Sequence, residues 1–238
     1  IQSDLQFIRL SQAIYAKRPD GQSGRLPPAK TRLLYNAVLN ACDARDGLKD
    51  GIVSNPDGCQ FSTTTLACAD GRDHKRCLSE AQQRTISESF LPTVSDFQVQ
   101  NGLNFEPGFN TLRGADLTDN MGLFRHAFHP PIPILNSFYY IVGDGVLRFF
   151  LTKDKHFDAL TFDTKTGGKW LPGIQQQSVE DDASLADLSP FERHGGKLLL
   201  VHGTADSIIP TEASVLLYKR IVEAMGQDAA DRFLRLYL

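Results

Sequence analysis

Asp43, Asp46 and Asp50 fall in the run Cys42-Asp43-Ala44-Arg45-Asp46-Gly47-Leu48-Lys49-Asp50-Gly51-Ile52, which Cys59 closes a few residues later. A hard cation such as Ca²⁺ gathers six to eight oxygens, so a short loop binds one only when carboxylates alternate with inward-turned backbone carbonyls. The carbonyls of Leu48 and Ile52 stand at suitable positions between and after the three aspartates, and Gly47 and Gly51 permit the sharp turns that aim them. The run reads as a calcium loop. It is not an EF-hand, because the D-x-[DN]-x-[DN]-G spacing and the closing Glu are absent. The plain alternative is a solvated Asp/Gly turn.

A second group of chemically able residues lies near the end of the chain, in His202-Gly203-Thr204-Ala205-Asp206-Ser207-Ile208-Ile209-Pro210. It follows the short apolar run Lys197 to Val201, which reads as a buried parallel strand opening into a loop at its carboxyl end. Ligands of parallel sheets bind beyond strand carboxyl ends, and Asp206 is placed there. His202 reads as a structural histidine packed at the strand exit. The other histidines carry less. His126 and His129 are three residues apart, but prolines follow at once, so a surface turn is expected rather than a metal pair. His74, His156 and His194 sit among charges or glycines and are expected to be solvated. Asp181 and Asp182 are adjacent, which suits a solvent-facing loop better than the opposed carboxylates of a glycosidase.

The four cysteines, Cys42, Cys59, Cys68 and Cys77, lie in one short, polar-flanked segment without C-x-x-C or zinc-like Cys/His spacing, which favours two local disulfides. Three pairings are possible, and the one without crossing or nesting joins Cys42 to Cys59 and Cys68 to Cys77. A bridge between Cys42 and Cys59 would contribute roughly 3 kcal/mol by constraining the unfolded chain. It would also pin both ends of the calcium loop. Disulfides imply an oxidising compartment, secreted or periplasmic.

These groups must be positioned by a chain of 238 residues that is 41% hydrophobic and 22% charged, enough for one large core or slightly more. A formal charge of -3 gives no reason to expect nucleic acid or an anionic membrane. No apolar run approaches the eighteen or so residues that span a bilayer. The chain opens on Ile1 with no signal peptide, as a piece of a longer exported protein would. Nothing in these patterns speaks to oligomeric state. The spacing predicts a first helix from the start to about residue 19, with Phe7, Leu10 and Ile14 on one face. A Pro/Gly/Ser-rich stretch ends it, and a second helix over Ala29 to Ala41 repeats Leu33, Leu34, Ala37, Val38 and Ala41. A long irregular region follows, with helical patches near Ser79 to Phe90 and Phe138 to Leu151. Its aromatic cluster of Phe138, Tyr139, Tyr140, Phe149 and Phe150 reads as core. After the strand at 197–201, an amphipathic helix is expected, capped by Thr211, striped by Ala213, Leu217 and Ile221 and ended by Gly226. A second strand over Phe233 to Leu238 completes a parallel unit.

The pattern H-G-x-x-D-x-x-I-P after an apolar strand resembles the acid-bearing loop of the tannase and feruloyl esterase family, which are α/β-hydrolases with a large calcium-binding lid. The run Asp187-Leu188-Ser189-Pro190-Phe191 with Gly195-Gly196-Lys197-Leu198 resembles that family's return from lid to core. The calcium segment is similar to the family's Cys-Asp-x-x-Asp-Gly-x-x-Asp-Gly-[Ile/Val] loop, which implies Ca²⁺ ligation by Asp43, Asp46 and Asp50 with the carbonyls of Leu48 and Ile52. It also implies the Cys42 to Cys59 disulfide.

The resemblance further implies an α/β fold: an α/β-hydrolase core fragment with a large, loop-rich inserted lid. Residues 1–10 would be the tail of the first core segment, 11–186 the calcium-binding lid, and 187–238 the returning core with the triad acid. The activity implied is hydrolysis of esters of aromatic acids, hydroxycinnamic or gallic, by a Ser-His-Asp triad in which Asp206 is the acid. The calcium would be structural, being far in sequence from Asp206. The nearest imitation of a nucleophile elbow, Gly21-Gln22-Ser23-Gly24-Arg25, lacks the second glycine. In the family the serine lies upstream of the segment matching Ile1 and the histidine beyond the strand ending at Leu238, so these 238 residues alone are not expected to hydrolyse esters. His202-Gly203 has some likeness to the His-Gly oxyanion loop of lipases, but the following Asp-x-x-Ile-Pro favours the acid loop. The rival from another class is a non-enzymatic, extracellular calcium- and ligand-binding module.

Overall fold

A computed structural model of the chain describes residues 1–16, 23–118 and 120–238. Helix α1 (Gln2–Tyr15) carries apolar residues on two faces, and both are used. Phe7, Leu10 and Ile14 enter one hydrophobic cluster, whereas Leu5 and Ile8 enter a second. A helix buried on two faces belongs in the interior, and each large apolar side chain contributes about 1.5–3 kcal/mol on full burial. The expected division at residue 10 falls inside this one continuous helix.

Helix α2 (Pro28–Cys42) starts on a proline, whose fixed φ suits a first turn. Its buried side is Lys30, Thr31, Leu34, Val38 and Cys42. Ala41, expected on that stripe, is exposed, because the burial follows the disulfide-bearing Cys42 instead. Cys42 is bonded to Cys59 and Cys68 to Cys77, the pairing without crossing. Lys30 is only 5% exposed. Its Nζ lies 2.7 Å from Asp73 and donates to the carbonyls of His74 and Cys77, so α2 holds the second disulfide loop from below.

Helix α3 (Glu80–Phe90) begins with a reciprocal capping box between Ser79 and Gln82. Two short antiparallel strands follow, β1 (Thr93–Val94) and β2 (Phe105–Glu106). Helix α4 (Phe138–Gly145) runs into a wider π-helical turn over Val146–Leu151. It packs on α1 at Gly143, where a Cβ would stand 2.8 Å from Ile8 and 3.1 Å from the Asp4 carbonyl. Of the aromatic cluster, Tyr139 and Tyr140 are core, while Phe149 and Phe150 are 58% and 61% exposed. The π-helical turn rotates the last two out of the helix face that α1 covers.

Helices α5 (Leu171–Asp181) and α6 (Ser189–Arg193) lead to strand β3 (Leu198–Val201), helix α7 (Thr211–Met225), helix α8 (Gln227–Phe233) and strand β4 (Leu234–Tyr237). Strands β3 and β4 are parallel, with Leu198 opposite Leu234 and Val201 opposite Tyr237. Leu198 and Leu200 pack with Leu217, Ile221, Phe233 and Leu234 into a third cluster, drawn wholly from this last part of the chain. β3 is not buried on both faces as expected: Leu199 and Val201 are 61% and 72% exposed. The reason is that α7 and α8 cover one face of the pair only. No helix among the described residues is long and apolar enough to cross a membrane.

Candidate functional site

The ladder between β3 and β4 extends one residue past Val201, with the His202 amide donating to the Tyr237 carbonyl at 3.0 Å. The chain then turns, closed by the Asp206 amide on the Gly203 carbonyl at 3.2 Å. Thr211 does not cap α7 as expected; Pro210 holds that position. The Thr211 hydroxyl instead donates to the Gly203 carbonyl at 2.8 Å, tying the loop's start to its end.

Within this loop the two oxygens of Asp206 have different surroundings. Oδ1 accepts from the amides of Ile208 at 2.7 Å and Ile209 at 3.0 Å, which fixes the plane of the carboxylate. Oδ2 lies 3.5 Å from His202 Nε2, and the side chain remains 34% exposed. His202 is held from its other side by Ser214, whose Oγ is 2.7 Å from Nδ1. A carboxylate fixed through one oxygen and accessible through the other can orient an imidazole and stabilise its charged form.

Residues distant in sequence support the loop. Asn110 Nδ2 donates to the Thr204 carbonyl at 3.0 Å, and Tyr139 Oη donates to the Ser207 carbonyl at 2.5 Å. Burial, and after it the charge of Asp206, push the Tyr139 phenol above its ordinary pKa, so it remains a donor. Beside Asn110 runs a groove of about 380 Å³ lined by Phe90, Phe105, Phe109, Arg113, Glu212 and Leu216. On the other side of α7 a cavity of about 240 Å³ holds Gln2, Glu106, Asp182 and Arg220. Burial raises the Glu106 carboxyl above its usual range, against the Ser3 hydroxyl that donates to it at 3.0 Å. Asp182 is not the solvent-facing residue expected. Its Oδ2 is buried without a partner, because Asp181 ends α5 and turns the next residue toward α1 and α7.

The aspartates of the calcium loop are placed differently. Asp43 is buried, and its carboxylate accepts from the amides of Asp50 at 3.1 Å and Gly51 at 3.1 Å. Asp46 accepts from Leu48 at 3.0 Å and Ser54 at 2.9 Å, and these donors hold its carboxyl below the usual range. Asp50 accepts from Ile52 at 3.1 Å. Gly47 and Gly51 take φ of 97° and 85°, the left-handed turns that the spacing requires. In kind the donors suit a hard cation, since they are all oxygen. In arrangement they are not assembled: among the described residues no three His, Cys, Asp or Glu side chains converge to metal-binding distance. Each carboxylate is occupied by the loop's own amides.

The histidine pair is likewise apart in use. Arg25 Nη1 lies 2.9 Å from His126 Nε2, and His129 Nε2 is 3.3 Å from the His156 carbonyl. His74 is exposed, as expected, and lies 3.0 Å from Asp70, whose carboxyl it helps hold below the usual range. Gly21 and Gln22 of the elbow-like run lie outside the described residues, as does the expected end of the first helix beyond residue 16. Asn110 and Tyr139 are the site residues that sequence reasoning missed. Tyr139 had only its place in an aromatic cluster to mark it, and Asn110 had no signal.

The family model described as tannase and feruloyl esterase matches residues 1–238. An uncharacterized esterase of Agrobacterium fabrum is 28% identical over 236 residues, covering 96% of this chain and 42% of that protein. A probable feruloyl esterase B-2 of Aspergillus terreus is 28% identical over 221 residues, covering 92% and 38%. Among solved structures, feruloyl esterase B from Aspergillus oryzae matches with a TM-score of 0.74 at 23% identity, over 99% of this chain and 43% of that one. Tannin acyl hydrolase from Aspergillus niger matches with a TM-score of 0.65 at 21% identity, over 98% and 44%. The fold is therefore of the α/β-hydrolase type that these structures share. The chain spans about two fifths of the length of the relatives it matches.

Proposed function

Because this chain belongs to the tannase and feruloyl esterase family, we propose that it supplies the triad acid, Asp206, to a serine carboxylic ester hydrolase acting on small esters of aromatic acids. The observation that carries this reading is the asymmetry of Asp206, anchored through Oδ1 by two amides and open through Oδ2 at the exit of a parallel strand. In such a triad a histidine removes the serine proton and an aspartate holds the imidazole and stabilises its cation. Asp206 does the last of these. In this reading the serine and the base histidine lie outside the 238 residues, which alone would be inactive. The aromatic groove beside Asn110 supports an aromatic acyl group, which Phe90, Phe105 and Phe109 can meet edge-on or face-on.

Residues 11–186 would act as the lid and 187–238 as the returning core, a division supported by the separate third cluster. The calcium reading stands on donor chemistry alone: Asp43, Asp46, Asp50 and the carbonyls of Leu48 and Ile52 would hold the ion after surrendering some of their amide partners. When bound it would cross-link the loop, a structural service. Two disulfides suit a secreted or periplasmic setting. The test is hydrolysis of methyl ferulate and methyl gallate by the full natural gene product. Turnover of either supports the esterase and reports its acyl preference. Turnover of neither, in a folded protein that binds calcium, favours the non-enzymatic binding module.

A further inference from the structure

We propose that Tyr139 and Asn110 are positioning residues for the acid: together they hold the loop that carries Asp206 from the helical region, outside the parallel unit to which that loop belongs. The proposal rests on the esterase reading above and extends it to residues that act on the acid only through the backbone of its loop. The loop is gripped on both sides of Asp206. Asn110 takes the carbonyl two residues before it, and Tyr139 takes the carbonyl one residue after it. Ile208, whose amide donates to Oδ1, packs its side chain against the first hydrophobic cluster, which includes Phe7, Phe109 and Tyr139. Tyr139 cannot shift to follow a displaced loop. It is 1% exposed and fixed by edge contacts to Phe7 and Phe138, with ring centroids 5.4 and 6.2 Å away.

The consequence is geometric. The Asp206 side chain is 34% exposed on its open side, so its orientation depends on the backbone at 207–209. That backbone is fixed from outside by Tyr139. Without the hydroxyl, the Ser207 carbonyl can rotate, and the amides of Ile208 and Ile209 lose their alignment on Oδ1. Tyr140 provides an internal control, because its hydroxyl is equally buried but has no hydrogen-bond partner.

The experiment compares Tyr139→Phe, Asn110→Ala and Tyr140→Phe in the full natural gene product by two readouts. Hydrogen exchange at the Ile208 and Ile209 amides is expected to quicken roughly tenfold in Tyr139→Phe, less in Asn110→Ala and not in Tyr140→Phe. On methyl ferulate or methyl gallate, kcat is expected to fall roughly five- to tenfold in Tyr139→Phe with KM unchanged. A purely structural hydroxyl would leave exchange at those two amides and kcat as they are in Tyr140→Phe. Unchanged exchange in Tyr139→Phe overturns the proposal whether or not the protein is an esterase. Faster exchange with wild-type kcat in an active enzyme overturns it as well. A wild type that hydrolyses neither ester overturns the esterase reading itself, and the exchange result then reports separately on the grip.

Discussion

The two aspartate-bearing loops differ in what holds them. The loop of Asp206 is fastened by Asn110 and Tyr139 from elsewhere in the molecule and by Thr211 from the next helix. The loop of Asp43, Asp46 and Asp50 is held by its own amides and by the Cys42 to Cys59 bond. One carboxylate is thus aimed before any partner arrives, as a group that must orient an imidazole requires. The three others are folded onto their own loop, and a cation would have to draw them together. Preorganisation by tertiary contact and order completed by a ligand are different physical solutions, and they respond differently to mutation.

Crossed substitutions give the largest expected contrast. Asp206→Asn should lower kcat by about 10⁴-fold and leave the melting temperature within a few degrees. Asp43→Asn should do the reverse, leaving kcat near wild type while calcium no longer raises the melting temperature; equal effects of both on kcat would erase the distinction. Next in size is the disulfide. Replacing Cys42 and Cys59 together by Ser should cost about 3 kcal/mol in urea unfolding, and Cys68 with Cys77 about 2.5 kcal/mol for its shorter loop. Calcium at a hundred times its dissociation constant should restore about 2.7 kcal/mol relative to chelated protein, read from the same curves. A thermogram indifferent to calcium would leave the Asp/Gly turn as a solvated turn.

The smallest effect is a pH dependence. The Leu48 and Ser54 amides favour the charged form of Asp46 and hold its carboxyl below the usual carboxylate range in the folded chain. Its contribution to stability is therefore complete above the unfolded pKa and is lost as pH falls through the lower folded one. Asp46→Asn should remove this contribution, lowering stability slightly near neutrality and flattening the acid-side loss, as acid titration of the unfolding midpoint would show.

How far the sequence could be read follows from the range of the forces involved. The proline start of α2 and the left-handed Gly47 and Gly51 are local, and each was legible from a few neighbouring letters; the Ser79 to Gln82 cap is as local, but only the helical patch it opens was read. The parallel pairing of β3 with β4 followed from strand, helix and strand in order. Nothing local marks α8, because Gly226 signals an end without excluding a new helix directly after it. The exposed face of β3 was misread for a related reason: an apolar run states what a strand can bury, and its neighbours decide what it does bury. Lys30 and Asp182 show the limit for charges. Whether a charged side chain is buried depends on carbonyls and helices dozens of residues away. Asn110 and Tyr139 reach the acid loop across 94 and 68 residues, and no spacing rule spans that distance.

The central claim is that Asp206 orients a catalytic histidine, and a crystal structure of the full natural gene product tests it most directly. The account predicts an imidazole nitrogen from a histidine other than His202 within about 2.6–3.2 Å of Oδ2, with the Ile208 and Ile209 amides still on Oδ1. An Oδ2 that meets only His202 or solvent there would contradict it.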